Sequence, residues 1–423
     1  MTPDKSSAEG SAEGRAGCVI LHYNEIGLKG KNRPHFIRLL ARRVEMAAQP
    51  HRSGRLTRLS GRFLLDMKPE TDWEGLRGAL GRVFGLAYFA RARKFPLDLG
   101  AVAEGVLEMI APMEISSFAV RTRREHKGIP ASSKEWDPAI GARIQARRHL
   151  PVNLTAPGTT IHIEALKNQA VAYAEKIPGP GGLPIGASGR VAAMLSGGID
   201  SPVAARRMMK RGCEVVFVHF HGAPYLSRVS AEKAGDLAEI LDGYQLGSRL
   251  YLIPFGSLQK DIVLTAPASD RVVLYRRFMV RITERIAALE GALAIVTGES
   301  LAQVASQSLS NMAAVEEAAT IPILRPLVGM DKEEIIAEAR ALGSFEISIE
   351  PDQDCCSLFV PKHPATKSKA VFLRRAEAQM PADEMIDRAL ADSEVLEISA
   401  GKRPVSKPFL EVHPFPVKEE AGS

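Results

Sequence analysis

Residues 191–201 read VAAMLSGGIDS, an apolar run followed by Ser196-Gly197-Gly198-Ile199-Asp200-Ser201. The apolar run bounded by a glycine pair reads as a buried strand, and residues 201–211 read as the helix that follows. EVVFVHF at 214–220 is a second strand. Further strands are expected at YLIPF (251–255), ALAIVTG (292–298) and IPILRPL (321–327), with helices over 229–242, 271–290 and 331–342 between them. Strands alternating with helices in this way predict a doubly wound parallel sheet. In the turn, Gly197 and Gly198 let the backbone approach a ligand closely. Amides at the start of the helix then face an anion, helped by the helix dipole. Ser196 and Ser201 add hydroxyl donors, and Asp200 is placed to hold Mg²⁺ against a pyrophosphate. The spacing is neither G-x-x-x-x-G-K-[ST] nor G-x-G-x-x-G. The competing reading is a plain glycine turn with Asp200 as a helix cap.

Immediately upstream, residues 178–190 read PGPGGLPIGASGR. Such a density of Gly and Pro cannot continue a helix or a central strand, so this stretch is a boundary. The charge changes sign across it. Residues 1–190 carry 29 basic and 18 acidic side chains, whereas residues 191–423 carry 26 and 31. The front half is therefore the half suited to a polyanion. Arginines cluster at Arg52, Arg55, Arg58 and Arg62, and again at Arg121, Arg123, Arg124 and Lys127; a guanidinium fork suits phosphate because it donates two parallel hydrogen bonds. Strands are expected at 18–23, 55–66, 86–93, 115–122, 160–166 and 169–176. Helices are expected at 34–48, opened by Pro34, at 72–84, and around GARI at 141–144, which carries Arg143. Short strands alternating with helices predict one or two small α+β units ahead of the α/β domain.

The composition, 45% apolar and 25% charged, is that of a globular chain, and 423 residues are enough for several domains. No apolar run reaches the roughly 18 residues of a membrane-spanning helix. The first 17 residues lack the apolar core of a secretory signal and read as a solvated tail. A cytoplasmic protein is expected.

SGGIDS resembles the PP-loop of the ATP pyrophosphatases, which cleave ATP between the α and β phosphates and adenylate an oxygen of their substrate. EIGLKGKNR (25–33), PGPGGLPIGASGRVAAMLSGGIDSPVA (178–204), TGESLAQVASQS (297–308) and RPLVGMDKEEI (325–335) together resemble the tRNA 4-thiouridine synthetases, from about residue 19 to about residue 370. The resemblance implies an N-terminal ferredoxin-like domain (18–75), a THUMP RNA-binding domain (76–177), the linker 178–190, a PP-loop domain (191–375) and a C-terminal extension (376–423). It also implies ATP and Mg²⁺ as cofactors, tRNA as substrate, a cysteine desulfurase as the source of persulfide sulfur, and a homodimer. The implied nucleotide set is Met194, Leu195, Ser196, Gly197, Gly198, Ser201, His219, Phe220, Arg276, Gly298 and Gln307. Lys332, in MDKEEI, would meet the α-phosphate. Arg121, Arg123, Arg124, Lys127 and Arg143 would meet RNA. A small-molecule ligase or amidotransferase with the same loop, and a non-catalytic tRNA-binding protein, stay open at this point.

Of the four cysteines, Cys18 and Cys213 read as packing residues. Cys355 and Cys356 lie in EPDQDCCSLFVPKHPATK, where a thiol near Lys362 and His363 is placed to ionise. A vicinal pair closes only through a strained ring, which argues against a structural disulfide, and the absence of a partner C-x-x-C argues against zinc. By resemblance Cys356 carries the sulfur and Cys355 is its competitor. Longer relatives add a rhodanese domain, which is not expected here; that leaves a role in thiazole synthesis without support.

Overall fold

The computed structural model describes residues 17–28, 30–130, 132–352, 355, 358–359, 365–399 and 402–412. The chain divides between Pro184 and Ile185 into two compact units.

The first unit runs β1 (Gly17–His22), α1 (Arg33–Ala48), β2 (Leu56–Leu59), β3 (Arg62–Asp66), α2 (Trp73–Leu80), β4 (Tyr88–Pro96), α3 (Leu99–Ile110), β5 (Phe118–Arg124), α4 (Ser133–Arg148), β6 (Thr159–Ala165), β7 (Gln169–Tyr173) and β8 (Ile177–Pro178). Pro34 sits in the first turn of α1, where its missing N–H has no partner to lose. Ile37, Leu40 and Val44 of α1 are buried at helical spacing. The stretch 55–66, expected as one strand, is a hairpin, because Gly61 takes a left-handed conformation (φ +75°) and reverses the chain. Helix α3 was not expected; its signal is Asp98, whose carboxylate accepts from the Ala101 amide at 2.8 Å.

The strands form one sheet in the order β2-β3-β1-β4-β7-β6-β5, with β8 on β4. Only β5 and β6 run parallel within that path. Strand β4 serves both halves: Tyr88–Arg93 pair with β1, and Arg93–Pro96 pair with β7. The sheet curves about β4 far enough for His22 on β1 to meet Glu164 on β6. The buried Glu164 carboxylate stands 2.9 Å from His22 Nε2, accepts from the Tyr173 hydroxyl at 2.9 Å and is ion-paired with Arg62. A buried carboxylate needs this many partners to remain charged. Arg62, expected among solvent-facing arginines, is thus committed to the interior. His22 also stacks on Tyr88, with ring centroids 4.4 Å apart.

The second unit runs β9 (Arg190–Met194), α5 (Asp200–Lys210), β10 (Glu214–His221), α6 (Val229–Gln245), β11 (Ser248–Pro254), α7 (Gly256–Thr265), α8 (Arg271–Glu290), β12 (Ile295–Val296), α9 (Leu309–Glu316), β13 (Ile323–Leu324), α10 (Lys332–Leu342), α11 (Phe345–Ser348), α12 (Ala370–Glu377), α13 (Ala382–Ala391), β14 (Glu394–Ser399) and β15 (Lys402–Pro408). The sheet order is β13-β12-β9-β10-β11-β14-β15. The first five strands are parallel, and β14 and β15 add an antiparallel edge. DEMIDRALADSEVLEI (383–398) reads from its sequence as one acidic helix, but it divides: α13 stops at Ala391, and β14 pairs with β11, burying Val395 and Ile398. From β9 the chain crosses to β10 on one side and later returns to β12 on the other. The crevice between the carboxyl ends of β9 and β12 is therefore the topological switch point, where such sheets bind ligands.

Burial, and then the charge of Arg62, push His22 from its ordinary value of 6.5 down to about 3. Below about pH 6.5 the unfolded chain takes up a proton here that the folded chain refuses until about pH 3. Folding stability therefore falls as pH falls through that window. Urea unfolding measured from pH 7 to 4 should give a shallower loss of stability for His22→Gln than for the wild type; an unchanged slope would mean that His22 does not set it.

Candidate nucleotide site and RNA face

The turn after β9 is closed by its own serines. Ser201 Oγ accepts from the Ser196 amide at 2.8 Å, donates toward the Ser196 carbonyl at 3.2 Å and lies 3.0 Å from Ser196 Oγ. Ser196 Oγ in turn accepts from the Gly198 amide at 3.3 Å. The two hydroxyls expected to face a ligand thus shape the loop first, and backbone amides at the head of α5 are left for an anion. Gly197 is buried: a Cβ there would stand 2.6 Å from Asp352 Oδ2 and 3.2 Å from the Lys233 stem. Gly298, expected against the nucleotide, has a steric duty. A Cβ on it would stand 2.7 Å from the Ser201 amide nitrogen, so only glycine lets the loop after β12 close on the head of α5.

Asp200 and Lys332, far apart in sequence, are brought together. Lys332 Nζ donates to Asp200 Oδ1 at 2.6 Å, and Gln303 Nε2 donates to Asp200 Oδ2 at 3.0 Å. Lys332 opens α10, which starts on a capping box between Asp331 and Glu334. Gln303 was not anticipated; its only sequence signal was its place in TGESLAQ. Arg276 donates to Glu299 Oε1 at 2.8 Å, and Glu299 Oε2 accepts from Arg325 at 2.8 Å and Thr297 at 3.1 Å. Glu299, only 3% exposed, is the hub that orients both guanidinium groups. Sequence reasoning missed this role because a Glu beside a glycine carries no sign of burial.

The residues expected around an adenine are largely packed. Leu195, His219 and Phe220 are buried, and Met194 is half-buried. His219 joins β10 to β9 through Nδ1, 2.8 Å from the Leu195 carbonyl, and its Nε2 lies 3.5 Å from Ser230 Oγ. Phe220 packs edge-on against Phe255. Gln307 is buried, and its side-chain carbonyl has no hydrogen-bond partner among the described residues. An orphaned buried acceptor needs a donor from beyond the described residues. The exocyclic amine of a purine has that chemistry, so the residues present fit an adenine nucleotide. For Mg²⁺ the donor set is thin. Among the described residues no group of three or more His, Cys, Asp or Glu side chains could hold a metal, which leaves Asp200 and substrate phosphates.

Cys355 is 2% exposed within the core, and its carbonyl accepts from Gln259 Nε2 at 2.8 Å. Cys356, Lys362 and His363 lie outside the described residues. Cys18 and Cys213 are buried as expected, and burial pushes both thiols up, Cys18 to about 12.

In the first unit, Phe118 and Val120 of β5 enter the core with residues of α3 and α4. Arg121 and Arg123 therefore project from the opposite face of the strand, both exposed. Arg121 donates to the Leu154 carbonyl at 2.6 Å. Arg124 turns the other way and supports the following loop through the carbonyls of Lys127 and Ile129. Arg143 is exposed on α4, beside Gly100, and does not share the face of Arg121 and Arg123.

An α/β unit with a phosphate-type loop at its switch point, preceded by an α+β unit with a basic strand, has the parts of a nucleotide-dependent enzyme acting on a polyanion. Three family models match in order: the ThiI ferredoxin-like domain at residues 18–90, the THUMP domain at 98–175 and Thiamine biosynthesis protein (ThiI) at 186–381. A probable tRNA sulfurtransferase of Thermus thermophilus is 44% identical over 92% of this chain and 95% of its own length. One from Moorella thermoacetica is 41% identical over 90% of this chain and 97% of its own. The crystal structure of a 4-thiouridine synthetase–RNA complex with bound ATP matches with a TM-score of 0.83 and 32% identity, covering 91% of this chain and 100% of that one. The chain belongs to the tRNA sulfurtransferases, enzymes that transfer sulfur to tRNA.

The close approach at Gly298 makes a direct prediction. Gly298→Ala should lose about 1–3 kcal/mol of stability through overpacking against the α5 backbone. Gly329→Ala, with nothing within 4 Å of the added carbon, should unfold in urea like the wild type. Equal stability of the two variants would refute the steric account.

Proposed function

We propose that this sulfurtransferase uses ATP to convert uridine 8 of tRNA into 4-thiouridine. The observation that carries the reading is the likeness, over nine-tenths of the chain, to a 4-thiouridine synthetase solved with RNA and ATP. The loop at the switch point, with Asp200 and Lys332 paired beside it, supplies the chemistry that such a reaction needs.

The C4 carbonyl of uridine reacts poorly with sulfur because oxide is a poor leaving group. Attack of O4 on the α-phosphorus of ATP breaks the bridge to the β-phosphate and releases pyrophosphate. The amides at the head of α5 and the Lys332 ammonium stabilise the charge that builds on the phosphates. Mg²⁺, held by phosphate oxygens and Asp200, would neutralise more of it. Gln307 offers its orphaned carbonyl to the adenine amine, and Arg276 borders the site from α8. The outer sulfur of a cysteine persulfide then attacks C4, and AMP leaves with the old O4. A thiol cleaves the remaining S–S bond by taking the cysteine sulfur, leaving the outer sulfur and its electron pair on C4. Cys356 is the better match for the carrier and Cys355 the alternative; because Cys355 is buried, loading it requires the segment to open. A cysteine desulfurase supplies the persulfide. Arg121 and Arg123, with Lys127 on the adjoining turn, meet the tRNA backbone. The setting is the cytoplasm; no helix among the described residues is long and apolar enough to cross a membrane.

An unmodified tRNA transcript incubated with the protein, ATP, Mg²⁺, cysteine and an active desulfurase should gain the near-ultraviolet absorbance of 4-thiouridine. Cys356→Ser should abolish it. Loss in Cys355→Ser alone would transfer the carrier role to Cys355, and no product from the wild type would overturn the reading. Arg123→Glu should weaken tRNA binding and lower the slope of log Kd against log salt by about one.

A further inference from the structure

Lys233, on α6, is 5% exposed, an unusual place for an ammonium group. Its Nζ donates to the Glu350 carbonyl at 2.7 Å and lies 3.5 Å from Asp352 Oδ2. Asp352 Oδ2 and the Lys233 stem both occupy the space that a side chain on Gly197, the first glycine of the loop at the switch point, would have to enter. Three residues beyond Asp352 the chain reaches Cys355, whose carbonyl is held by Gln259 of α7, a fully buried side chain. Three residues of extended chain span at most about 11 Å. Two buried side chains, Lys233 of α6 and Gln259 of α7, therefore hold residues on either side of this stretch, and Lys233 does so beside the loop itself.

We propose that Lys233 is a positioning residue for sulfur transfer: its buried ammonium holds Glu350 and Asp352, just ahead of Cys355 in the chain, beside Gly197, and Gln259 holds the carbonyl of Cys355. The arrangement explains why a charge is kept in the interior at this point. An apolar side chain would pack as well, but it could not hold a carbonyl and a carboxylate of another segment at the same time. It also explains Gly197, since any side chain there would drive Asp352 away. The proposal rests on the reading of this segment as the sulfur carrier.

The variants are Lys233→Met, which keeps the length and loses the charge, and Gln259→Leu. Both are first checked for a cooperative melt. In the first measurement the protein alone is treated with iodoacetamide, and alkylation of Cys355 is followed by peptide mass spectrometry. Release of a buried segment should speed it about tenfold or more in each variant. In the second, 4-thiouridine formation is compared with tRNA-dependent exchange of pyrophosphate into ATP. Thiolation should fall about tenfold further than exchange, because a misplaced sulfur impairs only the later step. Wild-type alkylation of Cys355 in Lys233→Met would overturn the proposal. So would an equal fall in exchange and thiolation, which would make Lys233 part of the nucleotide site. If Cys355→Ser and Cys356→Ser both thiolate normally, the sulfur-carrier reading fails, while the alkylation result still decides whether Lys233 holds the segment.

Discussion

The close approach of two backbones at the switch point is the constraint on which the second unit depends. Strands β9 and β12 lie side by side, and the turns that leave them must share one crevice. Gly298 lets the turn after β12 sit against the Ser201 amide, and Ser201 in turn closes the loop through Ser196. Once that contact is made, the rest is placed by short connections. Glu299 follows Gly298 and collects Arg276 and Arg325, and Gln303 reaches Asp200. The loop therefore owes its shape to internal hydrogen bonds that exist before any ligand arrives, the condition under which amide dipoles stabilise a transition state without reorganising.

The first unit rests on a different interaction. Glu164, backed by Tyr173 of the adjacent strand, joins His22 and Arg62 from strands that would be well separated from it in a flat sheet. Glu164 and Arg62 are charged and buried, so neither can be removed without leaving the other's charge uncompensated. The group holds a curved sheet in place, and Arg121 and Arg123 stand on the strand that borders it.

Much of this was legible in the chain. The alternation of apolar strands with helices marked all five parallel strands, and the SGGIDS turn marked the crevice. The strands of the first unit were also marked, apart from the break at Gly61 and the short β8; helix α3 went unread. What stayed hidden was the destination of polar side chains. Arg62 looked like its neighbours Arg55 and Arg58, yet it is buried, because the carboxylate that claims it lies a hundred residues away. Lys233 and Glu299 gave no sign of burial, since periodicity reports which face a residue occupies and not which charge waits opposite. His219 and Phe220, read as nucleotide-site residues, are also buried, because a strand end at the switch point must first join its neighbours. The edge strand β14 hid behind an acidic helix whose pattern ran into it without a break.

Strand β4 carries a consequence for how this architecture could have arisen. The ferredoxin-like match ends at residue 90 and the THUMP match begins at 98, so the join between them falls within a single strand that is paired on both sides. Modules that meet at a flexible linker can be shuffled by recombination, each carrying a finished fold to its new neighbour. A cut through β4 would leave both pieces with an unpaired edge. The two modules thus share a structural element where a linker would otherwise stand.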